Sequence, residues 1–255
     1  MSSSEKQALA PNQDAPPLGI RHFLYWMLGV ATCLWLYYGS QPPKPKNLLG
    51  YLLVISGVTF CIAAGGAIAF LIWNALRKFC KLPTTLQTPG AKYAAILGMT
   101  MMISLSKTKV LSWILNRDAT DPFFYARDFS DTLWRFYFAD FVAQSAAAVV
   151  FAIGIYWIGN WCWRIAIFAS LLLAVHFAYG SYLHLDLQPL NQGGFISNAT
   201  EERLLTFLRF VPLIAVAVSL TIDWRFRTKR DWAHYFGVML CGILLIEYLV
   251  IPMNQ

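Results

Sequence analysis

The sequence predicts an all-α protein: a polytopic bundle of membrane-spanning helices with seven spans, or six on an alternative count. Three observations carry this. Of the 255 residues, 58% are apolar and only 13% are charged, about half the charged share of a typical soluble domain. The apolar residues come in long blocks rather than at helical or strand spacing, and a helix needs about 20 such residues to cross a hydrocarbon core. Ten Trp, twelve Tyr and eighteen Phe fit the aromatic belts found at both membrane–water interfaces. The formal net charge of +7 then reads as a topology signal, because excess Lys and Arg mark cytoplasmic loops. It does not argue for nucleic-acid binding.

Residues 1–20 are polar and Pro-bearing and are expected to form a disordered tail. Residues 21–255 form one transmembrane domain, with spans expected at about 22–38, 48–73, 92–110, 141–158, 163–183, 204–222 and 235–251. The first block could be a signal peptide, but Tyr38-Gly39-Ser40 is a poor small-x-small cleavage site, so a retained span is expected. Pro-rich QPPKPKN ends it, since proline cannot continue a helix. Along the second span Gly57, Cys61, Gly65 and Ala69 recur every four residues, with Gly66 beside them. Such a stripe of small residues lets two helix backbones approach closely.

The third block is ambiguous. Residues 93–106 are almost wholly apolar, but Lys107 and Lys109 interrupt the run. The two lysines could snorkel outward and rescue a span; otherwise this is an interfacial helix. Residues 116–140 mix Asp, Arg and aromatics, with a turn at Asp118 to Pro122 and a helix cap at Asp128 or Ser130. Their acidic groups lack the spacing of a calcium loop and are expected to pair with local Arg instead. The short connection at 159–162 implies an antiparallel helix hairpin.

The loop IDWRFRTKRDWAHYFG, residues 222–237, holds Arg225, Arg227, Lys229 and Arg230 between two Asp-Trp pairs. With a cytoplasmic N-terminus, seven spans put these cations inside and six put them outside. The positive-inside rule acts most strongly on short loops and so favours seven. The loop is also expected to attract anionic lipid.

Few residues within the spans can carry chemistry. His176 sits near the middle of its span, followed by Tyr179, Gly180 and His184 on one helix face. Imidazole there could ligate haem iron or another metal or relay protons. A neutral histidine bonded to a neighbouring helix is the simpler reading, so no cofactor or metal is expected. His22 and His234 both begin spans and offer a separate, weaker metal pairing. Glu247 in the last span must face other helices or water, or stay protonated. Arg209 is its candidate partner, and Asp140 with Gln144 could join the same polar cluster. Five scattered Cys with no CxxC pair suggest neither zinc nor a disulfide framework. HExxH, GxSxG and P-loop patterns are absent. The last span has no Lys that could attach retinal, and no motif points to a family.

These observations favour a non-enzymatic structural or accessory subunit of a membrane complex, meeting lipid and either other membrane proteins or its own copies. Two further readings stand beside it: a small proton- or ion-coupled transporter using Glu247, and a membrane enzyme or haem or metal redox protein using His176. The expected location is a plasma or inner membrane, with the N-terminus cytoplasmic.

Overall fold

A computed structural model of the chain describes residues 19–38, 48–118, 129–186, 199–226, 230 and 232–250. Among them the regular structure is all helix: α1 (Ile20–Tyr38), α2 (Leu48–Phe79), α3 (Pro89–Asp118), α4 (Phe129–Trp157), α5 (Trp161–Asp186), α6 (Ala199–Arg225) and α7 (Trp232–Val250). Four of these helices, α2, α4, α5 and α6, are long and apolar enough to cross a membrane. That is the composition and shape of a helical membrane protein. In lipid a helix is the one open-ended element that satisfies its own backbone polar groups.

The helices alternate in direction. Trp26 of α1 meets Ile62 of α2, Gly98 of α3 lies against Ala67 of α2, and Ile96 of α3 lies against Gly154 of α4. Asp140 of α4 bonds Ser181 of α5, and Trp163 of α5 bonds Ser219 of α6. One end of the bundle therefore gathers the starts of α1, α3, α5 and α7 with the ends of α2, α4 and α6. It carries Arg21, Arg77, Lys78, Lys81, Lys92, Arg164, Arg225 and Arg230, and we call it the basic end.

The ambiguous third block is one continuous 30-residue helix. It packs against α2, α4 and α7, with Ala91, Tyr93, Ala94, Ala95, Ile96 and Leu97 all buried. An interfacial helix on the outside of the bundle is not what forms. Lys107 is a good helix former, and its charge has a partner within the bundle. The helices also run past the apolar blocks: α2 continues to Phe79 and α4 begins at Phe129. The Asp118 to Pro122 turn and Asp128 fall partly or wholly outside the described residues, and Ser130 lies inside α4.

The connections at the basic end are tightly built. At the end of α2, Lys81 takes a positive φ of 57°. Its N–H bonds Lys78 C=O at 3.1 Å while Leu82 N–H bonds Arg77 C=O at 2.8 Å, a Schellman closure with Lys where Gly is usual. Asn74, buried in α2, holds the loop down: its Oδ1 accepts both the N–H and the hydroxyl of Thr85 at 2.9 Å. Pro89 opens α3, where the missing N–H does no harm. The expected hairpin between α4 and α5 is present, with three connecting residues. Asn160 caps α5 through Cys162 N at 3.0 Å and Trp163 N at 3.4 Å. Lys92 and Arg164 cover the end of α4, donating to Trp157 O at 3.0 Å and Ile158 O at 2.5 Å. Cations suit that helix terminus.

The stripe of small residues is the α1–α2 contact. A Cβ on Gly65 would fall on the backbone of Val30, and one on Gly29 would fall on Gly65. Gly66 accommodates the Trp26 indole; Gly57 is buried in α2. A second close approach, between α3 and α7, uses Gly90 and Gly237, each leaving no room for a Cβ against the other helix.

Candidate functional site

The polar residues of α3, α4, α5 and α6 converge inside the bundle. Lys107 Nζ lies 2.6 Å from Asp140 Oδ1, with side chains only 21% and 19% exposed. Ser181 Oγ lies 2.6 Å from the other carboxylate oxygen and 3.0 Å from Phe177 O. Its single hydroxyl proton goes to the carboxylate, because hydrogen bonds to ionised acceptors are the stronger. Three helices are thus joined through one ion pair. Ionisable side chains inside a membrane pair with one another and commonly mark substrate or ion pathways.

Beside this pair is a cavity of about 450 Å3, within the range of small-molecule sites. Lys107, Arg209, Gln144, Ser104, Thr100 and Ser170 give it polar walls, and Phe60, Tyr93, Phe151 and Pro212 give it apolar ones. Pro212 lies within α6 and has no N–H, so the Leu208 carbonyl loses its usual helical donor next to the cavity. The cavity thus offers cationic, amide and hydroxyl groups to an occupant, with a carboxylate held one residue away by Lys107.

A second polar centre closes the basic end. Arg230 grips Asp223 with two bonds, Nε to Oδ2 at 3.0 Å and Nη2 to Oδ1 at 2.6 Å. His234, fully buried, places Nε2 3.4 Å from Asp223 Oδ2 and accepts Gly90 N–H at Nδ1, 3.3 Å away. Its proton is therefore assigned to Nε2, toward the carboxylate. The Trp163 ring stands edge-on to His234 at 5.5 Å, and its Nε1–H donates to Ser219 Oγ at 3.1 Å. This cluster pins the ends of α3, α5, α6 and α7 together.

The residues singled out in the sequence scatter across this frame. Arg209 lines the cavity with Gln144, and Asp140 is bound to Lys107 beside them. His176 lies on α5 between wall residues Ala174 and Phe177, but is not itself on the wall; its ring stands edge-on to Phe177 at 5.7 Å. The side chains of His184 and Glu247 lie outside the described residues, as do Arg227 and Lys229. In the basic loop, Arg225 is exposed, whereas Arg230 is engaged with Asp223. His22 contacts Trp73 and Trp232, while His234 faces Asp223 and Trp163. Among the described residues no group of three or more His, Cys, Asp or Glu could hold a metal ion. Sequence reasoning missed Lys107 as a partner of Asp140, and His234 with Asp223 as a buried pair. A charge interrupting an apolar block was the available signal for Lys107.

In comparison with known proteins, no family model matches the chain, and no curated protein and no solved structure matches it.

Proposed function

We propose that the chain is an integral membrane protein with seven crossing helices and a cytoplasmic N-terminus, in a plasma or inner membrane. It moves a small polar solute through the cavity beside Lys107, with the Lys107–Asp140 pair as its coupling element. The observation that carries this reading is the juxtaposition of a 450 Å3 cavity with an ion pair bridging α3 and α4. The alternation of all seven helices and the gathering of cations at one end support the topology, since short basic loops stay cytoplasmic. Transport here rests on Lys107, Asp140 and Arg209 rather than on Glu247. A solute or proton that engages Asp140 competes with Lys107, and release of the pair then lets α3 and α4 shift.

The accessory-subunit reading draws on α4, whose outward face presents Val149, Ile153 and Tyr156. It explains that face and gives the cavity no role. Counterflow separates the two. Proteoliposomes are loaded with an isotope-labelled extract of polar metabolites and diluted into the same extract unlabelled. The wild type exchanges at least one solute faster than protein-free liposomes, and Asp140→Asn does not. Exchange no faster than in empty liposomes contradicts transport.

The topology has its own test. Single cysteines replacing Lys81 and Arg127 in a Cys-free background label from opposite sides if there are seven spans, and from the same side if there are six.

A further inference from the structure

The cavity beside Lys107 is elongated, and its two ends differ. Its wall on α3 runs from Tyr93 to Lys107, about 21 Å of helix, whereas a sphere of the same volume would be under about 10 Å across. Lys107, Asp140 and Arg209 each lie about three turns in from the end of the bundle opposite the basic one, so the charged groups share one end of the cavity. Toward the basic end the wall is made by Ala147, Phe151, Leu97 and Tyr93. Among the described residues lining the cavity, the charged side chains are Lys107 and Arg209, both cationic, and there is no Asp or Glu. Neither cation is sealed: Lys107 keeps 21% of its side chain exposed, and Arg209 is half-buried. Asp140 takes one of the three N–H donors of the Lys107 ammonium. Thr100 and Ser170 already donate their hydroxyl protons to Leu97 O and Ala166 O, at 2.9 and 3.1 Å. The strongest donors in the wall are therefore the N–H groups of Lys107, Arg209 and the Gln144 amide.

On the reading of this cavity as the transport site, on which this step rests, we propose that its solute is a small organic monocarboxylate. The carboxylate sits at the Lys107 and Arg209 end, and the apolar body lies along Leu97, Ala147 and Phe151. Two cations in the wall repel a cationic solute and attract an anion, most strongly where water is scarce. A guanidinium presents a planar fork that matches a carboxylate, and charge-assisted hydrogen bonds are about twice as strong as neutral ones. The rest of the cavity decides the body of the solute. A bare inorganic anion leaves the apolar walls in contact with water, whereas each methylene buried against them adds about 0.8 kcal/mol. One negative charge fits and two do not. Asp140 already answers Lys107, and a dicarboxylate would put its second charge among Leu97 and Phe151, where nothing solvates it. By engaging Lys107 the carboxylate competes with Asp140 for the same ammonium, which weakens the pair that joins α3 to α4.

The test measures binding and transport separately, with radiolabelled hexanoate as the probe. Binding is measured on the full chain in nanodiscs, with empty nanodiscs giving the partition into lipid. Four competitors each change one feature: hexanamide removes the charge, hexylamine inverts it, adipate adds a second carboxylate and acetate removes the apolar body. The expected result is saturable hexanoate binding, with each competitor weaker by about tenfold or more. Arg209→Gln loses most of the preference for hexanoate over hexanamide. Arg209→Lys, which keeps the charge without the planar fork, retains part of it. Absence of saturable binding, any of the four competing as well as hexanoate, or an unchanged preference in folded Arg209→Gln would each overturn the proposal. Counterflow in proteoliposomes then separates the ligand from the transport reading. Hexanoate that binds with these preferences and is not exchanged contradicts transport and supports the ligand class. Exchange of other solutes that excess hexanoate does not inhibit supports transport and overturns the ligand class. Should Arg209→Gln fail to fold, the wild-type series of competitors still decides.

Discussion

Lys107 on α3 and Asp140 on α4 stand 2.6 Å apart inside the bundle, with Ser181 of α5 bonded to the second carboxylate oxygen. Both side chains are about four-fifths shielded. Removing one partner leaves the other charge without compensation, which is more damaging than never having had the pair. Asp140→Asn is therefore expected to lower stability by about 2 kcal/mol, and Lys107→Met by somewhat less, because an uncharged Met packs along the same path. The charge exchange Lys107→Asp with Asp140→Lys recovers part of the loss. Thermal unfolding in detergent measures all three, and an Asp140→Asn protein as stable as the wild type would show that the pair does not hold α3 to α4.

The contact between α1 and α2 depends on the absence of a side chain. Gly65→Val places its Cβ against the backbone of Val30, where nothing flexible can yield. We expect a loss of at least about 2 kcal/mol, the scale of overpacking in a close-packed interior, and increased proteolysis of α1. Gly180→Ala, where a Cβ meets nothing within 4 Å, is the matched control and changes stability by less than about 1 kcal/mol. Equal melting temperatures for the two variants would contradict the packing account.

At the basic end, His234→Phe keeps a ring edge-on to Trp163 and deletes the acceptor for Gly90 N–H. Asp223→Asn leaves Arg230 without its carboxylate. Each is expected to cost about 1–3 kcal/mol. Because both act on the same cluster, the double variant falls short of the sum. Additive effects in a double-mutant cycle would mean that His234 and Asp223 do not interact across their 3.4 Å separation.

Asn74→Ala removes the acceptor of two Thr85 bonds and the donor to Phe70 O, 3.0 Å away. The loop from Lys81 to Thr88 should then open locally, and trypsin should cut after Lys81 several-fold faster while the bundle core stays intact. Unchanged cleavage would show that the Schellman closure alone holds the loop.

The helical frame was legible in the sequence because apolar blocks, Pro-rich breaks and glycine spacing are local signals. The small-residue stripe on α2 pointed to a close helix contact, and Gly65 makes one. Register between helices was not legible. Lys107 looked like a flaw in a marginal span, and Asp140 like a residue at the head of another. Only the packing of α3 against α4 brings them to bonding distance and makes α3 a central helix. His234 looked like an interfacial residue because it starts a span; the glycines at 90 and 237 draw α3 and α7 so close that the imidazole is sealed between them. Conversely, His176 stood out by its depth, yet a turn of α5 carries it off the cavity wall.

The central claim, that the Lys107 cavity is a transport pathway, is tested most directly by access. A single cysteine is placed at Ser104, on the cavity wall, in a Cys-free background and challenged with a membrane-impermeant thiol reagent from each side of sealed vesicles. The account predicts modification from both sides in the wild type, with Asp140→Asn raising the rate on one side and lowering it on the other. Modification from one side only, or from neither, would contradict it and leave the cavity a packing feature of the bundle.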